Sequence, residues 1–176
     1  MSLRMPSGLP ARVIQVLKDY LPAELDLIDI EEGSDFVTPD VAVDNYHEWD
    51  RHLFTKPYPA ISMAVLRARV LEIQPVSFGS RIHAIYEIDV KAHVALDAGS
   101  DDALRLQQLA FRYATGIARV LAVQKNGLET AADPVIRDKT YVRLRELRWG
   151  PEVNQREGQM TRTATVGIDI DKTESR

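Results

Sequence analysis

The chain predicts an α+β domain: one antiparallel sheet of at least four long strands, with two main helices packed on one face. Three observations carry that reading. Residues 82–96 alternate between apolar and polar side chains, the period of a half-buried strand. The segments after Ser7 and after Ser100 repeat their apolar residues at helical spacing, as amphipathic helices do. The other strand-like segments follow one another over hairpin-length links, which is the pattern of an antiparallel sheet.

After Ser7, Leu9, Val13, Val16, Leu17 and Tyr20 form one apolar stripe, with Arg12, Gln15, Lys18 and Asp19 facing away. Pro10 is tolerated in a first turn, where its missing N–H costs little. Pro22 is expected to end this helix or to bend it into a second short one through Leu25 and Leu27. From about 31 to 59 the periodicity is lost in a loop of acids, aromatics and prolines. A stretch of this length inside a compact domain is usually a functional segment. Its aromatics Phe36, Tyr46, Trp49, Phe54 and Tyr58 need a surface to pack on, in this chain or in a partner.

Strand character begins at Ala60 and turns back around Pro75 to Ser80. On the long strand that follows, Ile82, Ala84, Tyr86, Ile88, Val90, Ala92, Val94 and Leu96 share one face, while Arg81, His83, Glu87, Asp89, Lys91 and His93 share the other. Ser100 is a suitable N-cap for the second helix, and Asp101 and Asp102 complement the positive end of its dipole. Leu106, Ala110, Tyr113, Ile117, Val120 and Leu121 form its buried stripe, and Asn126-Gly127 signals its stop. Two more strands are expected over 135–149 and 160–171, joined by a turn at 151–158, with the last residues frayed. There is no internal repeat and no low-complexity tract. At 176 residues, against roughly 150 per domain, the whole of 1–176 reads as a single domain.

Composition excludes several function classes. Hydrophobic residues make up 45% and charged residues 27%, enough for a core and a solvated surface but not the balance of a disordered chain. A net charge of −4 argues against a whole-protein attraction to nucleic acid or anionic lipid. No apolar run reaches the roughly 20 residues of a membrane span, and the first residues lack the apolar core of a secretory signal. A soluble protein made in a cytoplasm, with no membrane partner, is expected. The sequence has no cysteine, which removes disulfides, thiolate metal sites and cysteine nucleophiles.

Candidate chemistry is sparse. His47, Glu48, Asp50 and His52 cluster as metal-ligating types, but the histidines are five apart where the zincin motif needs four. A metal is not expected, nor is any cofactor. Pro39-Asp40 followed by Asp89-Val90-Lys91 imitates the layout of metal-dependent nucleases. Asp89 and Lys91 share a strand face, so a carboxylate could hold a cation beside an ammonium. No nucleophile elbow and no phosphate-cradling glycine loop is present, and no catalytic residue is assigned. Arg105, Arg112 and Arg119 recur every seven residues and are expected as a stripe on the outer face of the second helix. Arg137, Lys139, Arg143 and Arg145 are expected to point one way from the next strand. These basic sets and the loop aromatics Phe36, Tyr46, Trp49 and Phe54 are the candidate interface residues. Their counterpart is the acidic set Glu31, Glu32, Asp35, Asp40 and Asp44, which would meet the basic strand on a neighbouring copy.

The order of these features suggests a family. A short amphipathic helix leads to a loop ending in Tyr58-Pro-Ala-Ile61, then a long alternating strand. An acid-capped helix with Tyr113-Ala-Thr-Gly-Ile-Ala-Arg-Val-Leu121 follows, and a hairpin closes on Thr163-Ala-Thr-Val-Gly-Ile-Asp-Ile170. Over residues 9 to 171 this resembles the tail-terminator, tail-completion and neck proteins of long-tailed bacteriophages and prophages. The resemblance lies in architecture rather than in a diagnostic motif. It implies a non-enzymatic subunit of a ring, typically a hexamer, that caps the tail tube or joins tail to head in the virion. Its partners would be itself, the tail tube and the neck or head-completion proteins, with DNA passing through the ring without specific binding. The competing classes are a metal-dependent nuclease or phosphodiesterase using Asp40, Asp89 and Lys91, and a partner-binding α+β module.

Overall fold

The computed structural model describes residues 8–33, 36–49, 58–76, 79–97, 103–124, 140–149, 154–156 and 159–175. Two helices, α1 (Leu9–Glu32) and α2 (Ala103–Val123), lie on one face of a six-stranded sheet in the order β1-β2-β3-β6-β4, with β5 paired to β6. The strands are β1 (Tyr46–His47), β2 (Ala60–Val76), β3 (Gly79–Asp97), β4 (Thr140–Trp149), β5 (Asn154–Arg156) and β6 (Gln159–Ser175). All pairings are antiparallel except that of β1, which runs parallel to β2. The α+β fold expected from the sequence is the fold observed.

Helix α1 does not end or break at Pro22; it continues without interruption to Glu32. An interior proline costs roughly 3 kcal/mol, but Leu17, Leu21, Leu25 and Ile28 are buried on both sides of it. At about 1.5–3 kcal/mol for each such side chain, their burial outweighs the lost hydrogen bond. The helix stops at Gly33, which adopts φ 58° and donates its N–H to the Asp29 and Ile30 carbonyls, a left-handed cap that glycine adopts readily. Tyr20, expected in the stripe, is exposed, and Ile14 is buried instead. The stripe of α2 is as expected, and it widens to include Leu109, Ala114 and Gly116. A Cβ at Gly116 would lie 3.0 Å from Leu21 Cδ1 and 3.2 Å from Leu25 Cδ2, so the bare glycine sets how closely α1 approaches α2.

The core lies between the helices and the face formed by Ile61, Met63, Tyr86, Ile88, Val90, Val166, Ile168 and Ile170. Bulges keep this face apolar. On β2 the helix side carries Ile61, Met63 and Val65, then Ala68 and Val70, then Ile73, with register shifts at Leu66 and Leu71 between the runs. On β4 a shift between Leu144 and Glu146 places Val142, Leu144, Leu147 and Trp149 on the helix side. One extra residue re-phases an alternation that would otherwise turn its apolar side chains outward.

Three further expectations change. Residues 172–175, expected to fray, extend β6 and pair with Arg81–Ala84 of β3. The expected turn at 151–158 contains β5, paired with the start of β6. Glu31 and Glu32, expected in the loop, belong to α1. The cap residues Ser100 to Asp102, the stop at Asn126-Gly127 and the strand start at 135–139 lie outside the described residues. Among the described residues no helix is long and apolar enough to cross a membrane.

Candidate subunit interface

Arg105, Arg112 and Arg119 do not form an outward stripe. All three face α1 and the chain that follows it. The Arg112 guanidinium is only 1% exposed; it donates from Nε to Glu32 Oε2 at 2.7 Å and from Nη1 to Asp29 Oδ1 at 2.8 Å. Nη1 also reaches the Phe36 carbonyl and Thr38 Oγ1. Asp29 in turn accepts from the Thr38 backbone N–H and hydroxyl, both at 2.6 Å. The guanidinium carbons of Arg105 and Arg112 lie 4.6 and 4.3 Å from the Phe36 ring centroid, within cation–π range. Arg119 bonds Glu24 and Glu31, which raises its pKa through those bonds, Glu31 first.

This network fastens the first part of the loop to the helices. Thr38 and Val41 are buried, Tyr113 donates its hydroxyl to the Pro39 carbonyl, and Asn45 bonds the Pro59 carbonyl. Tyr46 is buried above β2, and burial, then Asp40, pushes its pKa up to about 12. Burial, with Tyr46, Asp40 and Asp29 adding to it, likewise raises that of Tyr113. The described aromatics of the loop therefore divide. Phe36 and Tyr46 pack within the chain, whereas Trp49 is 61% exposed. Phe54, Asp35, Asp50 and His52 lie outside the described residues.

The other face of the sheet is a layer of ion pairs. Glu87, Asp89 and Asp169 are buried beneath arginines that reach over from neighbouring strands. Arg67 meets Glu87 at 2.6 Å, and Arg143 meets Asp169 at 2.8 Å, a bond that raises its pKa. Arg145, the bulge residue of β4, crosses β6 to bond Glu87 at 3.2 Å and Asp89 at 2.5 Å, while Arg148 takes the second oxygen of Asp89 at 3.0 Å. Gly167 makes the crossing possible, since a Cβ there would stand 2.8 Å from Arg145 Nη2. Arg143 and Arg145 do serve one face, but both have partners within the chain, and so do Glu31 and Glu32. Four members of the charge sets expected to meet between copies are thus engaged internally. Arg137 and Lys139 lie outside the described residues.

The nuclease triplet is not assembled. Both Asp89 oxygens are held by guanidiniums, whereas Asp40 sits on the helix side near Tyr46 and Tyr113. Lys91 shares the open face with Asp89. His47 stands opposite Ser62, and no group of three His, Asp or Glu among the described residues could hold a metal ion. Sequence reading missed a polar chain on this face. Ser62 Oγ lies 2.8 Å from His93 Nε2, and His93 Nδ1 lies 3.1 Å from Thr163 Oγ1. Ser62 is fully buried, so this chain ties three strands together rather than presenting a nucleophile.

Exposed apolar residues flank both ends of the strand order, while others, such as Ile30, Val37 and Val123, lie on the helices and the loop. Among the described residues β4 pairs with β6 alone, and β2 beyond Ser62 pairs with β3 alone. Leu66, Leu71 and Ile73 are exposed on β2, and Leu144, Trp149, Phe111 and Leu104 at the β4 end, where Phe111 meets Trp149 edge-on at 5.3 Å. Unpaired edges flanked by apolar side chains are surfaces that proteins normally cover. No known family model matches the chain, and no curated protein matches it either.

Proposed function

We propose that this chain is a non-enzymatic assembly subunit that associates edge to edge with copies of itself into a closed ring, of the kind that caps a phage tail tube or joins tail to head. The observation that supports the reading best is the pair of open edges at opposite ends of one sheet, each bordered by exposed apolar side chains. A contact between two different edges is heterologous, and heterologous contacts close into rings when the rotation allows. A hexamer docked on tail-tube and neck proteins in the virion is the assembly this reading favours, with DNA passing through its centre.

Light scattering over a wide concentration range, with negative-stain microscopy of the same samples, tests it. Closed rings that grow with concentration are the expected result. A strict monomer at high concentration and low salt defeats the reading, and so does metal-dependent DNA cleavage by the purified chain.

A further inference from the structure

The two edges differ in charge and are level with each other. Residues 36–49 contain Asp40, Asp44 and Glu48 and no lysine or arginine. All three acids are exposed, and none has an ion-pair partner among the described residues. Strand β4 carries Arg143, Arg145 and Arg148 against the single acid Glu146, and Arg143 and Arg148 are mostly exposed. Asp44 and Glu48 thus flank β1, where Lys18 lies over the Tyr46 ring, and arginines flank the other edge, where Arg148 also holds Asp89 and Glu146.

Register sets the level. Tyr46 of β1 pairs with Ile61, Ile61 with Ala92, Ala92 with Ala164, and Ala164 with Trp149 of β4. The adjacent row runs from His47 through Ser62, Lys91 and Thr165 to Arg148. So β1 and the Arg148–Trp149 end of β4 lie at opposite ends of the same two rows. A rotation about an axis along the strands brings one to the other without sliding. Because β1 is parallel to β2 and β4 antiparallel to it, the two meet antiparallel, the pairing that needs no crossover.

We infer that the β1 edge of one copy docks on the Arg148–Trp149 end of β4 of a second copy, with Trp49 seated against Trp149 and Phe111, and with Asp44 and Glu48 facing Arg148. This deepens the assembly reading and rests on it. Trp49 gives the contact a large apolar anchor, and Phe111 and Trp149 offer it a part-exposed aromatic seat. An aromatic at the centre of a patch rimmed by opposite charges is the usual composition of an interface that carries most of its affinity in a few residues.

The absence of cysteine in the sequence makes cross-linking specific to introduced thiols. Glu48→Cys and Gln108→Cys, the latter one turn of α2 from Phe111, are made as separate single variants, both at exposed positions, and treated with a short bis-maleimide alone and mixed. The mixture is expected to give covalent dimers and each variant alone none. In parallel, Trp49→Ala is expected to weaken self-association by about tenfold or more, with an unchanged circular dichroism spectrum. Oligomers that form without a mixed cross-link, a Glu48→Cys variant that links to itself, or a Trp49→Ala protein that associates as the parent does each overturn this contact while leaving ring assembly standing. A parent chain that stays monomeric overturns both.

Discussion

The two faces of the sheet solve the same electrostatic problem in opposite ways. Beneath the helices the cation is the buried partner: Arg112 is sealed, and its carboxylates Asp29 and Glu32 lie nearer the surface. On the open face the anions are buried, with Asp89 at 6% exposure, and the arginines form the outer layer, with Arg143 at 75%. A guanidinium with five N–H groups can be fully satisfied inside a protein by two carboxylates, a carbonyl and a hydroxyl. The same group on an open sheet shields a carboxylate while keeping contact with water. Equal pair distances therefore carry different energies, because a sealed guanidinium gives up its hydration to make the pair and an exposed one keeps most of it.

The largest test of that difference is Arg112→Ala, expected to cost about 3–5 kcal/mol by leaving Asp29 partly buried without its cation. Urea unfolding measures it. The double variant Arg112→Leu with Asp29→Leu should recover part of that loss, since both charges leave together. If the single variant is nearly neutral, the contrast between the faces fails at its strong end.

On the open face, Arg145→Ala should cost about 1–3 kcal/mol, because Asp89 keeps Arg148 but loses its closer donor. Gly167→Ala should act through the same bridge, since its methyl displaces the crossing side chain. In the Arg145→Ala background the glycine substitution should cost less, keeping only the part that comes from Glu146 Cγ at 2.9 Å, and a double-mutant cycle reads that coupling. Additive costs would show that Gly167 serves the backbone rather than the bridge. The same bridge means that Arg143 and Arg145 cannot be reversed to Glu as a neutral probe of assembly, because Arg145→Glu would place a third carboxylate beside Glu87 and Asp89.

Alkaline titration distinguishes the faces by a different route. Tyr46 is held neutral on the helix side, with a folded pKa of about 12 against an ordinary 10. A raised phenol pKa gives stability that is intact below pH 10 and lost as pH rises from 10 to 12, because the unfolded chain releases the proton first. The slope in that window should approach about 1.4 kcal/mol per pH unit for one such group, and Tyr46→Phe should remove that share while leaving the share of Tyr113, whose pKa is raised as well. A slope unchanged in that variant would assign the loss elsewhere.

The smallest effect is expected for Arg119→Ala. Arg119 and its partner Glu31 are both largely exposed, where ion pairs add little. The denaturation midpoint should stay within error of the parent.

Legibility in the sequence followed the range of the interactions. The alternation over 82–96, broken at Ile85 and Ala95, named the helix-side residues of that stretch, because in a strand the face is a local property of the chain. The stripe of α2 was readable for the same reason. The β4 segment Val142-Arg-Leu-Arg-Glu-Leu-Arg-Trp149 holds a visible phase slip, with two residues between Leu144 and Leu147, and that slip is the signal for the bulge at Arg145. Simple alternation instead invites treating Arg145 as one more surface charge.

What the sequence by itself determined is the element list and the apolar faces, since both arise from the repeat of neighbouring side chains along one backbone. Tertiary structure alone decided the rest. Pro22 lies inside a helix because α2 buries the residues on either side of it, and propensity does not know what α2 provides. Arg112 is internal because residues 80 and 83 positions earlier converge on it. Asp89 is closed to a cation because β4, more than fifty residues later, lays two arginines across it. Charge pairing over such separations depends on which strands become neighbours, and strand order is written in no local pattern of the chain.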